Sequence, residues 1–233
     1  MDTKELHAVL SRLLGLTRPP VAIAFRPSAP AGVPRIERAG PAGCAYWKLA
    51  GEGRAFYTEA ADHYNCPVGS YTHGIELPPS RAAELQQVVG TMVSLEYLRM
   101  EEVPALPRRT APFGVAVYAP LGETPVDPDV VIVRGDARQM MLLAEAAGAA
   151  GIGHEGAALG RPACAMIPAT MNSAHGNTSI GCIGNRVYTG LGDAELYYAI
   201  PGARLSEVVG RLETVVRANH ELEKYHEARR AAL

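Results

Sequence analysis

No apolar run in this 233-residue chain approaches the roughly 20 residues that a membrane-spanning helix needs. The start, Met1-Asp2-Thr3-Lys4-Glu5-Leu6, lacks the basic and then apolar run of a secretory signal, so the cytoplasm is the expected compartment. Nor is there a basic stripe. Lys and Arg number 22 against 24 Asp and Glu, a net charge of −2, which argues against nucleic acid or an anionic membrane as partner. There is no Walker loop, no His-Glu-x-x-His and no Gly-x-Ser-x-Gly. Cysteine is scarce too. The four residues Cys44, Cys66, Cys164 and Cys182 form no Cys-x-x-Cys pair, which removes the usual zinc knuckle. A reducing compartment makes disulfides their least expected use. What remains is an ordinary globular balance, 48% hydrophobic and 20% charged, in a chain long enough to bury a core without staples.

The hydrophobic pattern predicts alternating helices and strands. Leu6, Val9, Leu10, Leu13 and Leu14 make one helical face, opened by an Asp2/Glu5 capping box and stopped at Gly15. Residues 20–25 read as a strand, 45–53 as a short helix and 54–58 as a second strand. Residues 59–79 read as mostly irregular chain. Ser80 opens a longer helix with Leu85, Val88, Val89, Met92, Leu95 and Leu98 on one side. A Pro-rich joint at 103–112 divides an N-terminal half, 1–102, from a C-terminal half, 113–233, within one compact unit. Beyond it, 113–118, 130–133 and 196–200 read as strands. Asp136 opens a helix, 178–191 reads as a Gly-punctuated loop, and a last helix runs from Gly202 to about Arg229. Several links are too short for parallel crossovers. The fold class is therefore α/β, a mixed sheet with flanking helices.

The halves echo each other. Cys44 and Cys164 are offset by 120 residues and Cys66 and Cys182 by 116. Each second cysteine is followed by glycine and then Tyr-Thr, at Tyr71-Thr72 and Tyr188-Thr189. Val88-Val89-Gly90 returns at Val208-Val209-Gly210, and Pro20-Val21-Ala22-Ile23 is answered by Pro128-Asp129-Val130-Val131. Two pseudo-repeated halves are one reading and chance matches of short strings the other. Duplication would bring the paired cysteine segments together near a two-fold axis.

Each cysteine sits in its own Gly- or Pro-containing segment, and four thiolates that meet can hold one metal centre. Loops that wrap an iron–sulfur cluster need glycine, because the main chain approaches the sulfides closely; Gly181-Cys182-Ile183-Gly184-Asn185 meets that need. Four separate single-cysteine segments favour a cluster over zinc. By spacing alone, four inert, buried, apolar thiols fit as well. Cys164, within Ala163-Cys164-Ala165-Met166-Ile167, reads as a core strand residue and is the least secure ligand. Gly151-Ile152-Gly153-His154-Glu155-Gly156 matches a dinucleotide string but follows a helix instead of a strand, so it reads as a helix stop and loop.

Several segments carry a resemblance over nearly the whole chain: Leu14-Gly15-Leu16-Thr17-Arg18-Pro19-Pro20, Asp62-His63-Tyr64-Asn65-Cys66-Pro67-Val68-Gly69, Val117-Tyr118-Ala119-Pro120-Leu121, Gly181-Cys182-Ile183-Gly184-Asn185-Arg186 and Ala199-Ile200-Pro201-Gly202. The chain resembles the prokaryotic proteins grouped as domain of unknown function 169. The resemblance implies cysteine at the positions of Cys44, Cys66 and Cys182, and commonly Cys164, in what looks like a cysteine-ligated iron–sulfur family. Asn185 stands where serine is expected.

The expectation is thus a cytoplasmic protein holding a [4Fe–4S]-type cluster on Cys44, Cys66, Cys164 and Cys182, with a redox or small-molecule role. His63 and Arg186 would stand beside the cluster, as sulfur hydrogen-bond donor or proton carrier and as counter-charge or substrate grip. A small molecule or a redox protein is the expected partner. The alternative is a metal-free or zinc-stabilised module that binds a small ligand between the halves. A third reading makes Cys66 a nucleophile assisted by His63.

Overall fold

The computed structural model describes residues 1–155 and 162–232. Seven strands form one sheet: β1 (Val21–Arg26), β2 (Phe56–Glu59), β3 (Val115–Pro120), β4 (Val130–Asp136), β5 (His154–Glu155), β6 (Gly176–Ser179) and β7 (Glu195–Pro201). Their order is β2-β3-β1-β4-β7-β6-β5, antiparallel throughout except for the two-residue β5, which joins β6 parallel at the edge.

Helices cover both faces, so the central strands are apolar on both sides. Successive side chains point to opposite faces. Val21, Ile23 and Phe25 of β1, with Val130 and Ile132 of β4, pack on α2 (Cys44–Gly51) and α6 (Met166–Ser173). Ala22, Val131 and Val133 pack on α1 (Thr3–Leu14), α5 (Ala137–Ala149) and α8 (Leu205–Ala231). Two caps match the sequence, but Ser80, expected as a third, lies inside the helix Pro79–Ser94, whose N-cap is Pro78. Asp2 with Glu5 and Asp136 with Gln139 form reciprocal capping boxes, and Gly15 ends α1 at φ 63°.

Two helices lie where the sequence reads as irregular: α3 (Pro67–His73) and α7 (Ile183–Thr189). Each is seven residues long, too short for a hydrophobic period to register. Each opens on a cysteine at the N-cap and closes on a left-handed glycine, Gly74 or Gly190. Cys164 is not on a strand. It lies in a 3-10 turn, Ala163–Ala165, that leads into α6. α4 (Pro79–Ser94) stops short of the expected Leu95 and Leu98, and none of its residues is buried. The dinucleotide-like string is described only in part. Gly151 is left-handed at φ 71°, as a helix stop requires, whereas Gly156 lies outside the described residues.

The order β1-α2-β2-α3-β3 recurs as β4-α6-β6-α7-β7, with α4 added to the first series and α5–β5 to the second. The ladders agree in register. Val21 stands opposite Pro120 as Val130 does opposite Pro201, and Tyr57 stands opposite Val117 as Thr178 does opposite Tyr198. Across the centre, Ala22 of β1 faces Val131 of β4. On the α2/α6 face, α2 packs on α7 and the Cys164 turn packs on α3.

Candidate functional site

Where these two helix pairs meet, the fold leaves a cavity of about 480 Å³, and all four cysteines line it. Cys44 enters from the first turn of α2, Cys66 and Cys182 from the N-caps of α3 and α7, and Cys164 from the turn before α6. The remaining wall is α4, through Leu85, Val88, Val89 and Met92, and the segment after it, through Leu98 and Leu106. Tyr71 and Tyr188, the tyrosines of the repeated Tyr-Thr pairs, also face it.

Local chemistry places each sulfur. Cys182 does the work of a capping side chain: its Sγ accepts the Asn185 N–H at 3.4 Å. Beside Cys66, a Cβ on Gly69 would lie 2.8 Å from Sγ, so glycine there is a requirement of space. Burial dominates the acid–base behaviour. It pushes the Cys44 thiol up to about 12, with the Cys66 and Cys182 sulfurs adding to the rise. Burial also raises Cys66, against the pull of the Gly43 and Gly69 N–H groups. Cys164 is raised further still, by burial first and by the other three sulfurs. These thiols are therefore protonated near neutrality.

This arrangement corrects the expected [4Fe–4S] role. Among the described residues, no group of three or more His, Cys, Asp or Glu side chains is placed to hold a metal ion. The sulfurs are spread over the walls of a wide cavity and do not converge on one point. The surroundings are equally unsuited to clustered thiolates. Among the described residues that line the cavity there is no Lys, Arg or His, and the charged member is Glu84. The residues present do not fit the expected iron–sulfur centre. Nor does Cys66 have the low thiol pKa or the histidine partner that nucleophilic catalysis requires.

The two further site residues lie off the cavity wall. His63 is buried beneath it, with Nε2 2.9 Å from Thr58 Oγ1. Thr58 gives its own proton to the Ala116 carbonyl, at 3.3 Å, so Nε2 is the protonated nitrogen and Nδ1 is a bare acceptor without a hydrogen-bond partner. His73, 5.8 Å away ring to ring, donates from Nδ1 to the Gly69 carbonyl at 2.7 Å and leaves Nε2 unpartnered. Burial lowers His63 to about 3 and His73 to about 4. Arg186 reaches the Ile180 carbonyl at 2.6 Å and the Gly192 carbonyl at 3.1 Å, and so clasps together the two ends of α7.

Sequence reasoning missed α4 as a cavity wall. Its apolar side chains have the spacing of a core-facing helix, and nothing in that spacing distinguishes a packed core from a cavity.

Fold and site together define an α/β protein with a largely apolar cavity, lined by four cysteines, on one face of a mostly antiparallel sheet. The family model described as uncharacterised ArCR, domain of unknown function 169, matches residues 9–211, and the chain belongs to that family. It is also similar to an uncharacterised protein of Methanocaldococcus jannaschii, 26% identical over 229 residues that cover 91% of this chain and 96% of that protein. No solved structure matches the chain. Among the described residues, no helix is long and apolar enough to cross a membrane.

Proposed function

We propose that this protein is a metal-free binding module for a small molecule with a predominantly apolar body, held between α3, α4 and α7. The observation that carries the reading is the cavity itself. Its volume of about 480 Å³ falls within the roughly 300–1,000 Å³ of small-molecule sites, and its walls are mostly apolar side chains and cysteines. The state of α4 supports it. A 16-residue helix with no buried residue obtains little hydrophobic stabilisation from the protein. A ligand covering Leu85, Val88, Val89 and Met92 would gain about 25 cal/mol for each Å² of apolar surface it removes from water. A mostly apolar lining whose charged member among the described residues is Glu84 suits shape-based recognition of an apolar body and suits an anionic ligand poorly.

The common element order and ladder register support reading the chain as two duplicated halves. Ala22 and Val131, equivalent in that scheme, would flank a pseudo-two-fold axis between β1 and β4. In that scheme the halves would divide after β3, between Pro120 and Val130, and not at the Pro-rich joint at 103–112. Val88-Val89-Gly90 and Val208-Val209-Gly210 fall on α4 and α8, which are not equivalent in the series. The cysteine pairs are equivalent, which accounts for a cavity ringed by two related pairs.

The neutral fluorophore N-phenyl-1-naphthylamine tests the binding reading. Wild-type protein should bind it saturably with a blue-shifted emission. Val88→Trp, made at a half-exposed position where the chain tolerates size, should fill the cavity and abolish binding while the protein stays folded. Absence of saturable binding, or equal binding by the variant, would overturn the reading. Native mass spectrometry of freshly purified protein provides an independent check, because a retained ligand adds a discrete mass.

A further inference from the structure

Ile75 and Arg109 are both buried, and the chain between them runs from Glu76 to Arg108 without burying one residue. This long excursion begins and ends at the same place. The Arg109 N–H donates to the Thr72 carbonyl at 2.8 Å, and Gly74 packs so close to the Arg109 carbonyl that a Cβ there would strike it. The base is firmly built. The Arg109 guanidinium lies over the rings of Phe25 and Phe113, 4.5 and 4.8 Å from their centroids, and the Ile75 N–H bonds to the Ser70 carbonyl at 2.9 Å.

Between its ends the segment is ordered within itself. α4 fills the first part, Glu96 then turns the chain at φ 56°, and the Tyr97 N–H bonds back to the Met92 carbonyl at 3.0 Å. A 3-10 turn, Met100–Glu102, follows. One side of this body is the cavity wall, through Leu85, Val88, Val89, Met92, Leu98 and Leu106, so its apolar side chains face a hollow instead of a core. Polar contacts hold its margins. The Tyr71 hydroxyl donates to the Val103 carbonyl at 3.3 Å, and Arg81 Nη2 donates to Asn65 Oδ1 at 3.1 Å. Pro78 and Pro79 have fixed φ, so bending at the near end falls on Glu76 and Leu77.

We propose that residues 76–108 are a hinged flap over the cavity, swinging as one body about the base at Gly74 and Arg109. The flap opens to admit the ligand and closes by packing Leu85, Val88 and Met92 on it. This rests on the reading of the cavity as a small-molecule site and adds how that site is reached and shut. Few buried apolar contacts mark a segment of low local stability, so opening leaves the rest of the fold in place. A ligand that touches the flap only when it is shut shifts the balance toward the closed state.

Hydrogen exchange followed by mass spectrometry tests the flap in the full-length, ligand-free protein. Amides of residues 85–94 should exchange together, at least about 100-fold faster than those of α5, which buries one face in the core. Tyr71→Phe removes the hydroxyl that holds Val103 but keeps the ring; it should speed flap exchange by about fivefold and leave α5 unchanged. N-phenyl-1-naphthylamine at about ten times its Kd should slow flap exchange by about tenfold, again without effect on α5. Flap protection equal to that of α5, or Tyr71→Phe without effect on the flap, would overturn the hinge. Fluorophore binding that leaves flap exchange unchanged would overturn the closing step. If the fluorophore does not bind, the binding reading fails by itself, and the ligand-free comparison still decides the flap.

Discussion

Acidification should unfold this protein through two imidazoles beneath the cavity floor. His63 and His73 are buried and neutral, with folded-state pKa values lowered by burial to about 3 and about 4 from 6.5. The Arg109 cation adds to the depression at His73. Both tautomers are fixed by Thr58 and by the Gly69 carbonyl, so protonating either ring means placing a charge among Tyr46, Tyr118 and Phe25. The sign follows from linkage: between the two pKa values the unfolded chain binds a proton that the folded chain refuses. Stability is therefore fully present above about pH 6.5 and is lost as pH falls toward 4 and then 3. Each imidazole costs about 1.4 kcal/mol per pH unit in that window, so at pH 5 each removes about 2 kcal/mol and the pair about 4. Urea denaturation at several pH values from 5 to 7 measures the slope. His63→Gln and His73→Gln should each reduce it by one proton, whatever their effect on stability at pH 7. Unchanged slopes in both variants, or a folded-state imidazole that titrates near 6.5 by NMR, would refute the reasoning.

Other expectations follow from the same geometry. Cys44, Cys66 and Cys164 should react with iodoacetamide far more slowly at pH 7 than a free thiol and accelerate as pH rises; rapid single-site labelling of Cys66 would contradict their protonated state. Gly74→Ala should destabilise more than Gly15→Ala in thermal unfolding. Both glycines have positive φ, but a Cβ at Gly74 would strike the Arg109 carbonyl, whereas Gly15 faces open space. Asp129→Ala should cost about 1–2 kcal/mol by chemical denaturation, because it removes the acceptor of the Phe25 N–H, while Arg26 keeps the Phe25 and Asp127 carbonyls. Arg26→Ala should cost less than about 1 kcal/mol.

Much of the scaffold was legible along the chain because its signals are local. The α1 capping box, the apolar face of α8 and the β-branched runs of β1 and β4 each report a nearest-neighbour preference, and all stand as read. α3 and α7 were illegible for a related reason. Seven residues with internal glycine have little intrinsic helical preference, and these helices persist because Pro67 opens α3, Cys182 caps α7 and tertiary packing holds their sides. His63 shows the same limit at the level of one side chain. Its place three residues before Cys66 suggests a neighbour of the sulfur, but the turn at Ala60–His63 directs it inward to Thr58.

The sequence by itself determined the family, the α/β class and the caps of α1 and α5, and left open whether the four cysteines share one neighbourhood. Only the tertiary structure decided what that neighbourhood is. Thiols of like spacing can converge on an ion or ring a hollow, and the difference is a few ångströms in how α2, α3, α6 and α7 pack, a distance that no pattern of residue types along a chain encodes.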